Sequence, residues 1–258
     1  MLKLKQMKTE NKLNKNVLQR ELDKLLSLYN SKRFADSEKK VNELIIKFPK
    51  VPGLKNILGL IHTQNKKFSL AIESFEDAIN TDPNFSMAYN NLGNVHKIQG
   101  NKELAIKIYK LAIKKNPNNP MAYNNLANLY KTNNELDKSI NIYNQALKIN
   151  PDQYIIYNNL GIAYKIIGNF KEAKECFMRA IKLKPDFYFA YRNLGQVIKW
   201  KKNDANLLML KKVFNEHKKR DEIKREIAFT LAKAYEDIKD YKSTYSYLSE
   251  GNLIAKNL

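Results

Sequence analysis

The sequence predicts an all-α protein in which helix–turn–helix units repeat and stack into a solenoid. Only 8 Gly and 7 Pro interrupt 258 residues that are 43% hydrophobic, which favours helices. A small residue also follows an apolar one at a constant step of 34 residues, a period typical of repeat architectures. These small residues are Gly59, Gly93, Ala127, Gly161 and Gly195.

Aromatic residues and prolines keep the same register when each unit is counted from seven residues before its small residue. Position 4 holds Tyr89, Tyr123, Tyr157 and Tyr191, position 24 holds Phe75, Tyr109, Tyr143 and Phe177, and position 32 holds Pro83, Pro117, Pro151 and Pro185. Positions 4, 7 and 11 fall on one stripe of a helix. Proline cannot continue a second helix, so each unit is predicted to hold two helices.

The turn between the two helices is predicted at position 15. Gly100, Asn134 and Gly168 stand there, and these residue types adopt the left-handed conformation that ends a helix. Small residues at positions 8, 20 and 27 let the helices approach closely, while aromatic residues fill the gaps. We expect the tyrosines at position 4 to pack between helices; a stacking platform for bases is the alternative.

These residues resemble the tetratricopeptide repeat, which has this period and the pattern W-x₂-L-G-x₂-Y…A-x₃-F…P. Tyrosine replaces tryptophan at position 4. The resemblance implies a right-handed α-solenoid whose terminal repeats are atypical. The expected organisation is a basic disordered tail over 1–16, a degenerate repeat over 17–51, four regular repeats over 52–187, a degenerate repeat over 188–224 and a helix pair over 225–258.

The resemblance also implies a binding surface, because in this family positions 2, 5, 6, 9, 12 and 13 of the first helices line a concave groove. Asparagine amides both donate and accept hydrogen bonds, so a file of them can hold a peptide backbone. The position-6 file resembles the asparagine ladder of O-GlcNAc transferases, and lysines at position 12 favour acidic peptides or a sulfate or phosphate group. The predicted peptide-binding residues are Asn90, Asn91, Asn94, Lys97, Asn124, Asn125, Asn128, Lys131, Asn158, Asn159, Lys165, Arg192, Asn193 and Lys199.

Two alternatives concern this surface. An exposed face of Asn and Lys could serve solubility alone. The carboxylate-clamp form of the fold, which holds chaperone C-termini, has Lys or Arg at positions 2 and 6, so we do not expect it here. Position 2 is instead Met87, Met121, Ile155 and Phe189.

We therefore expect a protein-interaction scaffold that binds extended peptides, with no enzymatic activity of its own. The alternative rests on residues 228–252, which resemble the segment joining repeats to the catalytic domain in bacterial tetratricopeptide-containing sulfotransferases. The matching residues are Ala232, Lys233, Ala234, Tyr235, Glu236, Asp237, Tyr241, Leu248, Gly251 and Asn252. On that interpretation the chain is the substrate-recognition arm of such an enzyme, or of one like a glycosyltransferase, and lacks the catalytic domain.

Charge and cysteine usage add further expectations. The net charge is +20, and basic residues within 199–225 surround Trp200, but acids dilute them and arginine is scarce, so nucleic acid is not the expected partner. Cys176 is the single cysteine and is expected to be a packed apolar side chain in a reducing cytoplasm. We expect no cofactor, no metal site, no catalytic residues and no membrane span.

Overall fold

A computed structural model describes residues 2–216 and 221–257, with side chains from residue 16 onward. His217, Lys218, Lys219 and Arg220, three of which belong to the basic segment weighed for nucleic acid, lie outside the described residues. Within the described ranges the regular elements are fourteen α-helices. The predicted all-α class is therefore confirmed.

The helices come in pairs that follow the predicted repeats. The helices are α1 (Leu2–Asn30), α2 (Phe34–Lys47), α3 (Pro52–Gln64), α4 (Phe68–Thr81), α5 (Ser86–Ile98), α6 (Lys102–Lys115), α7 (Pro120–Thr132), α8 (Leu136–Ile149), α9 (Tyr154–Ile166), α10 (Phe170–Leu183), α11 (Tyr188–Gly195), α12 (Ala205–Glu216), α13 (Asp221–Asp237) and α14 (Tyr241–Asn257). Helix α1 begins at Leu2, so it runs through the segment for which we expect a disordered tail.

The helix boundaries follow from the residues predicted to set them. Gly100, Asn134 and Gly168 have φ values of 82°, 62° and 84°, which confirms the left-handed turn at position 15. Lys66 occupies the same position with φ of 58°. The second helices of the regular repeats end two residues before the proline at position 32, because a residue preceding proline is disfavoured in the helical region.

Close contact within each pair depends on the small residue at position 8. A Cβ atom placed on Gly59, Gly93 or Gly161 would lie only 2.5–2.7 Å from the aromatic ring at position 24 of the same repeat. Real Cβ atoms do not approach a ring so closely, so glycine is what allows this distance between the helices. The predicted packing of small residues against aromatic rings is confirmed.

The chain divides into two compact units, residues 1–125 and 126–258. In the first, one core cluster includes Leu25, Val41 and Leu54, and another is built around Phe75 and Leu92. The core of the second unit joins α10, α11, α12 and α13 and includes Phe177, Tyr191, Trp200, Phe214 and Leu231. Each unit thus has its own interior, built by the repeating apolar positions.

Candidate functional site

We use "groove face" for the side of each first helix that carries repeat positions 2, 5, 6, 9, 12 and 13. In both units the asparagines of this face bond to one another between neighbouring repeats. The position-6 amide nitrogen donates to the position-5 amide oxygen of the preceding repeat. These bonds run from Asn91 to Asn56, from Asn125 to Asn90 and from Asn193 to Asn158, each at 2.9 Å.

Burial differs among the asparagines at positions 5 and 6. Asn90 and Asn158 at position 5 are only 2% and 6% exposed, so their amides lie between helices. Asn91 and Asn125 at position 6 are half-buried, as are Asn124 and Asn159, whereas Asn193 is buried. The structure therefore gives these side chains a role in joining repeats, and their contact with a peptide stays a prediction.

The asparagines at position 9 bond inside their own repeat. Asn94 accepts a hydrogen bond from the Tyr109 hydroxyl at 2.7 Å, and Asn128 accepts one from Tyr143 at 2.8 Å. Both tyrosines are fully buried, and burial raises the pKa of each hydroxyl above its usual value. A buried tyrosine hydroxyl usually has such a partner.

The sequence held a signal for this pairing that the repeat register alone did not use. Where position 24 is Phe75 or Phe177, position 9 is Leu60 or Ile162, and where position 24 is tyrosine, position 9 is asparagine. A phenylalanine ring has no hydroxyl, so it needs no polar neighbour. Comparing positions 9 and 24 among repeats would have predicted the bond.

The lysines at position 12 have two different environments. Lys97 and Lys199 are exposed. Lys131 and Lys165 are half-buried, and burial lowers the pKa of both; the positive charge of Arg192 contributes to the shift at Lys165. Lys97 places positive charge on the groove face of α5, whereas Lys199 lies beyond the end of α11.

Exposed apolar side chains at position 2 are the groove-face feature that the sequence prediction did not include. Met87, Met121, Ile155 and Phe189 are 38–60% exposed. Ile98 and Ile166 at position 13 are 54% and 53% exposed, and eleven residues amount to about three helical turns, which places them on the same side as position 2. The register of position 2 places these residues on the groove face, so the sequence alone carries this signal.

Cys176 and His62, whose side chains could in principle take part in catalysis, are both buried. Cys176 is buried, and burial raises the pKa of its thiol to about 12. His62 is 6% exposed, with Nδ1 3.1 Å from the Ser74 hydroxyl and Nε2 3.3 Å from Glu38. In the described part of the chain, no three His, Cys, Asp or Glu residues are grouped as metal ligands would be. No described helix combines the length and the apolar character that crossing a bilayer requires.

Family models for the tetratricopeptide repeat match most of the helical array. The matched segments are residues 22–84, 86–119, 108–141, 128–168 and 154–187. No curated protein matches the chain significantly. The matches described here include no sulfotransferase, so the resemblance of residues 228–252 to that family stays a prediction.

Solved structures share the fold at low sequence identity. The C-terminal part of a TPR repeat-containing protein from Cytophaga hutchinsonii is 16% identical with a TM-score of 0.62, covering 90% of this chain and 94% of its own. A thermophilic TPR protein from Thermus thermophilus is 19% identical with a TM-score of 0.57, covering 69% and 97%. MamA from Desulfovibrio magneticus, residue 41 to the end, is 18% identical with a TM-score of 0.53, covering 66% and 96%. These likenesses confirm the predicted solenoid fold.

Proposed function

Because this chain belongs to the tetratricopeptide repeat family, we propose that it is a protein-interaction scaffold that holds extended peptide segments on its groove face. The observation that carries the proposal is the exposed apolar file at position 2. Its members are Met87 and Met121 in the first unit and Ile155 and Phe189 in the second, and within each unit they recur in successive repeats on the face that the family uses for ligands. Scattered exposed apolar residues need no explanation, but a repeated file on one face indicates an interaction surface.

The chemistry of the face suits an extended chain. Met87 and Met121 have flexible, polarizable side chains that adapt to different apolar partners. Lys97 adds an exposed positive charge on the same helix as Met87, in a chain with a net charge of +20. Apolar side chains interspersed with carboxylates are therefore the expected features of a bound segment, since opposite charges steer the encounter.

A displayed library of random peptides, selected on the immobilised full chain, tests this proposal. We expect enriched sequences that bind the wild type and bind the double variant Met87→Glu, Met121→Glu at least about tenfold more weakly, because like charges repel an acidic ligand and the apolar contact is lost. Fluorescence anisotropy of the labelled peptides measures both affinities, and circular dichroism checks that helicity is kept.

The matched control is Leu70→Glu, Leu104→Glu. Both leucines stand at position 19 on second helices and are 44% and 41% exposed, comparable to position 2. This control should bind like the wild type. Equal losses in the two double variants, or a selection that enriches no sequence, would refute peptide binding on the groove face.

A further inference from the structure

The repeat that begins at residue 188 departs from the others in its first helix. Helix α11 has 8 residues, whereas α5 and α9 have 13 each. Residues 196–204, which correspond to the end of a regular first helix and its turn, are not helical. The groove face therefore loses about one and a half helical turns here, since a turn takes about 3.6 residues.

After α11 ends at Gly195, the unwound chain buries the side chain of Trp200. It stands at position 13, which is exposed at Ile98 and Ile166, yet it is only 2% exposed. Its indole takes the place that the position-24 ring has in regular repeats, because a Cβ atom on Gly195 would lie 3.2 Å from Trp200 Nε1. The backbone N–H of Trp200 donates to Asp237 at 3.2 Å, which fixes the unwound segment against α13.

A cleft of about 460 Å³ lies between the unwound segment after α11 and one side of α13. This volume lies within the range of small-ligand sites and is ample for a bulky side chain. Apolar surface comes from Ile198 and Phe229, and Gly195 forms part of the wall. Trp200 Nε1, beside Gly195, has no hydrogen-bond acceptor among the described residues.

Positive charge exceeds negative charge around this cleft. Arg192, Lys199 and Lys233 line it, against the two carboxylates of Glu226 and Asp237.

Each of these carboxylates is already paired. Glu226 accepts from Arg192 at 3.1 Å and from Arg225 at 3.0 Å, and Asp237 accepts from Lys233 at 2.7 Å. No carboxylate of the described residues forms an ion pair with Lys199. Lys199 is therefore placed to attract an anion.

Lys165 lies next to this cleft and adds to its excess of positive charge. Its Nζ donates to the Gln196 side chain at 2.6 Å, and Gln196 lines the cleft. Burial, and with it the nearby positive charge of Arg192, lowers the pKa of Lys165. A carboxylate bound nearby would favour the charged form of Lys165.

We infer that this cleft is a specificity pocket for a peptide that carries an apolar side chain flanked by carboxylates. The apolar side chain enters between Ile198 and Phe229, and a flanking carboxylate binds Lys199. This inference deepens the proposed function, because it names the partner chemistry for one part of the groove face and rests on that face binding peptides.

Trp200 provides a local readout, because it is the only tryptophan of the chain. The probe is a short capped peptide with a Glu-Phe-Glu centre, titrated into the full chain while tryptophan emission is recorded. We expect a saturable change in emission, no change with a Lys-Phe-Lys centre, and a much weaker response with Glu-Ala-Glu. The Lys199→Glu variant should raise the Kd for the first peptide about tenfold, since a rim attraction becomes a repulsion.

Lys174→Glu is the matched control, since Lys174 is also exposed but lies on the second helix α10, outside the groove face. It should leave the emission titration unchanged.

Two outcomes overturn the pocket. The labelled probe could bind by anisotropy without changing Trp200 emission and with the same Kd for the wild type and Lys199→Glu, in which case the chain binds peptides outside the cleft. Failure of the probe to bind also refutes the pocket, while the library selection separately decides the proposed function.

Discussion

Repeats 86–119 and 154–187 fill the same space between their helices in two different ways. Both have glycine at position 8 under a fully buried ring. In the first repeat the ring is Tyr109, whose hydroxyl bonds to Asn94; in the second it is Phe177, and position 9 is Ile162. Positions 9 and 24 therefore vary together, as a polar pair or an apolar pair.

The largest effect should come from the feature that both repeats share. Gly93→Leu and Gly161→Leu each place a side chain where a Cβ atom alone would be 2.6–2.7 Å from the ring. We expect each to lower the free energy of unfolding by about 3 kcal/mol, the upper end for overpacking. Urea denaturation followed by circular dichroism measures the loss. Gly53→Leu is the control, because nothing lies within 4 Å of its Cβ position. Unchanged denaturation midpoints in the two variants would contradict the shared packing.

An apolar residue at position 9 combined with tyrosine at position 24 should lower the free energy of unfolding by less than the glycine substitutions do. Asn94→Ile leaves the buried Tyr109 hydroxyl without its acceptor and should lower the free energy of unfolding by about 2 kcal/mol, within the range for an unsatisfied buried group. The same urea denaturation measures it.

The double variant Asn94→Ile, Tyr109→Phe reproduces the pair found in repeat 154–187 and should recover most of that stability. Replacing both partners by apolar groups of similar shape is nearly neutral. If the two single losses simply add in the double variant, positions 9 and 24 are independent and the comparison fails.

The asparagine hydrogen bonds between repeats should contribute still less to the free energy of unfolding. Asn125→Ala removes the donor to Asn90 and should lower the free energy of unfolding by about 1 kcal/mol, the net value of one hydrogen bond. The exposed Lys97→Ala is the control and should change stability little. A loss of peptide affinity in Asn125→Ala with stability unchanged would instead assign this amide to the ligand.

The sequence predicted the fold in detail because the features that determine it are periodic. Helix ends, the small residue under the ring and the proline all recur at a fixed step of 34 residues, so each copy supports the others. The departures at Trp200 and α11 occur once, and nothing repeats to reveal them. A tryptophan at an otherwise exposed position was visible in the sequence, but its burial depends on the unwound segment that carries it.

The candidate site was predicted only in part, and for a physical reason. Register places a residue on a helix face, which is why Lys97 lies exposed on the groove face of α5. Register does not show whether an amide faces water or a neighbouring repeat. The amides of Asn90 and Asn158 are buried because the next repeat supplies a donor, a contact that depends on the distance between helices.

The smallest effect concerns the turn at position 15, where the two compared repeats have Gly100 and Gly168 and an earlier repeat has Lys66. All three have positive φ, a conformation that is strained for lysine but not for glycine. We expect Lys66→Gly to raise the free energy of unfolding by roughly 0.5 kcal/mol, because relief of strain exceeds the added entropy of the unfolded chain. Gly100→Ala should lower it for the converse reason. Thermal denaturation of both variants measures the difference, and shifts of the same sign would show that backbone strain at this turn does not limit stability.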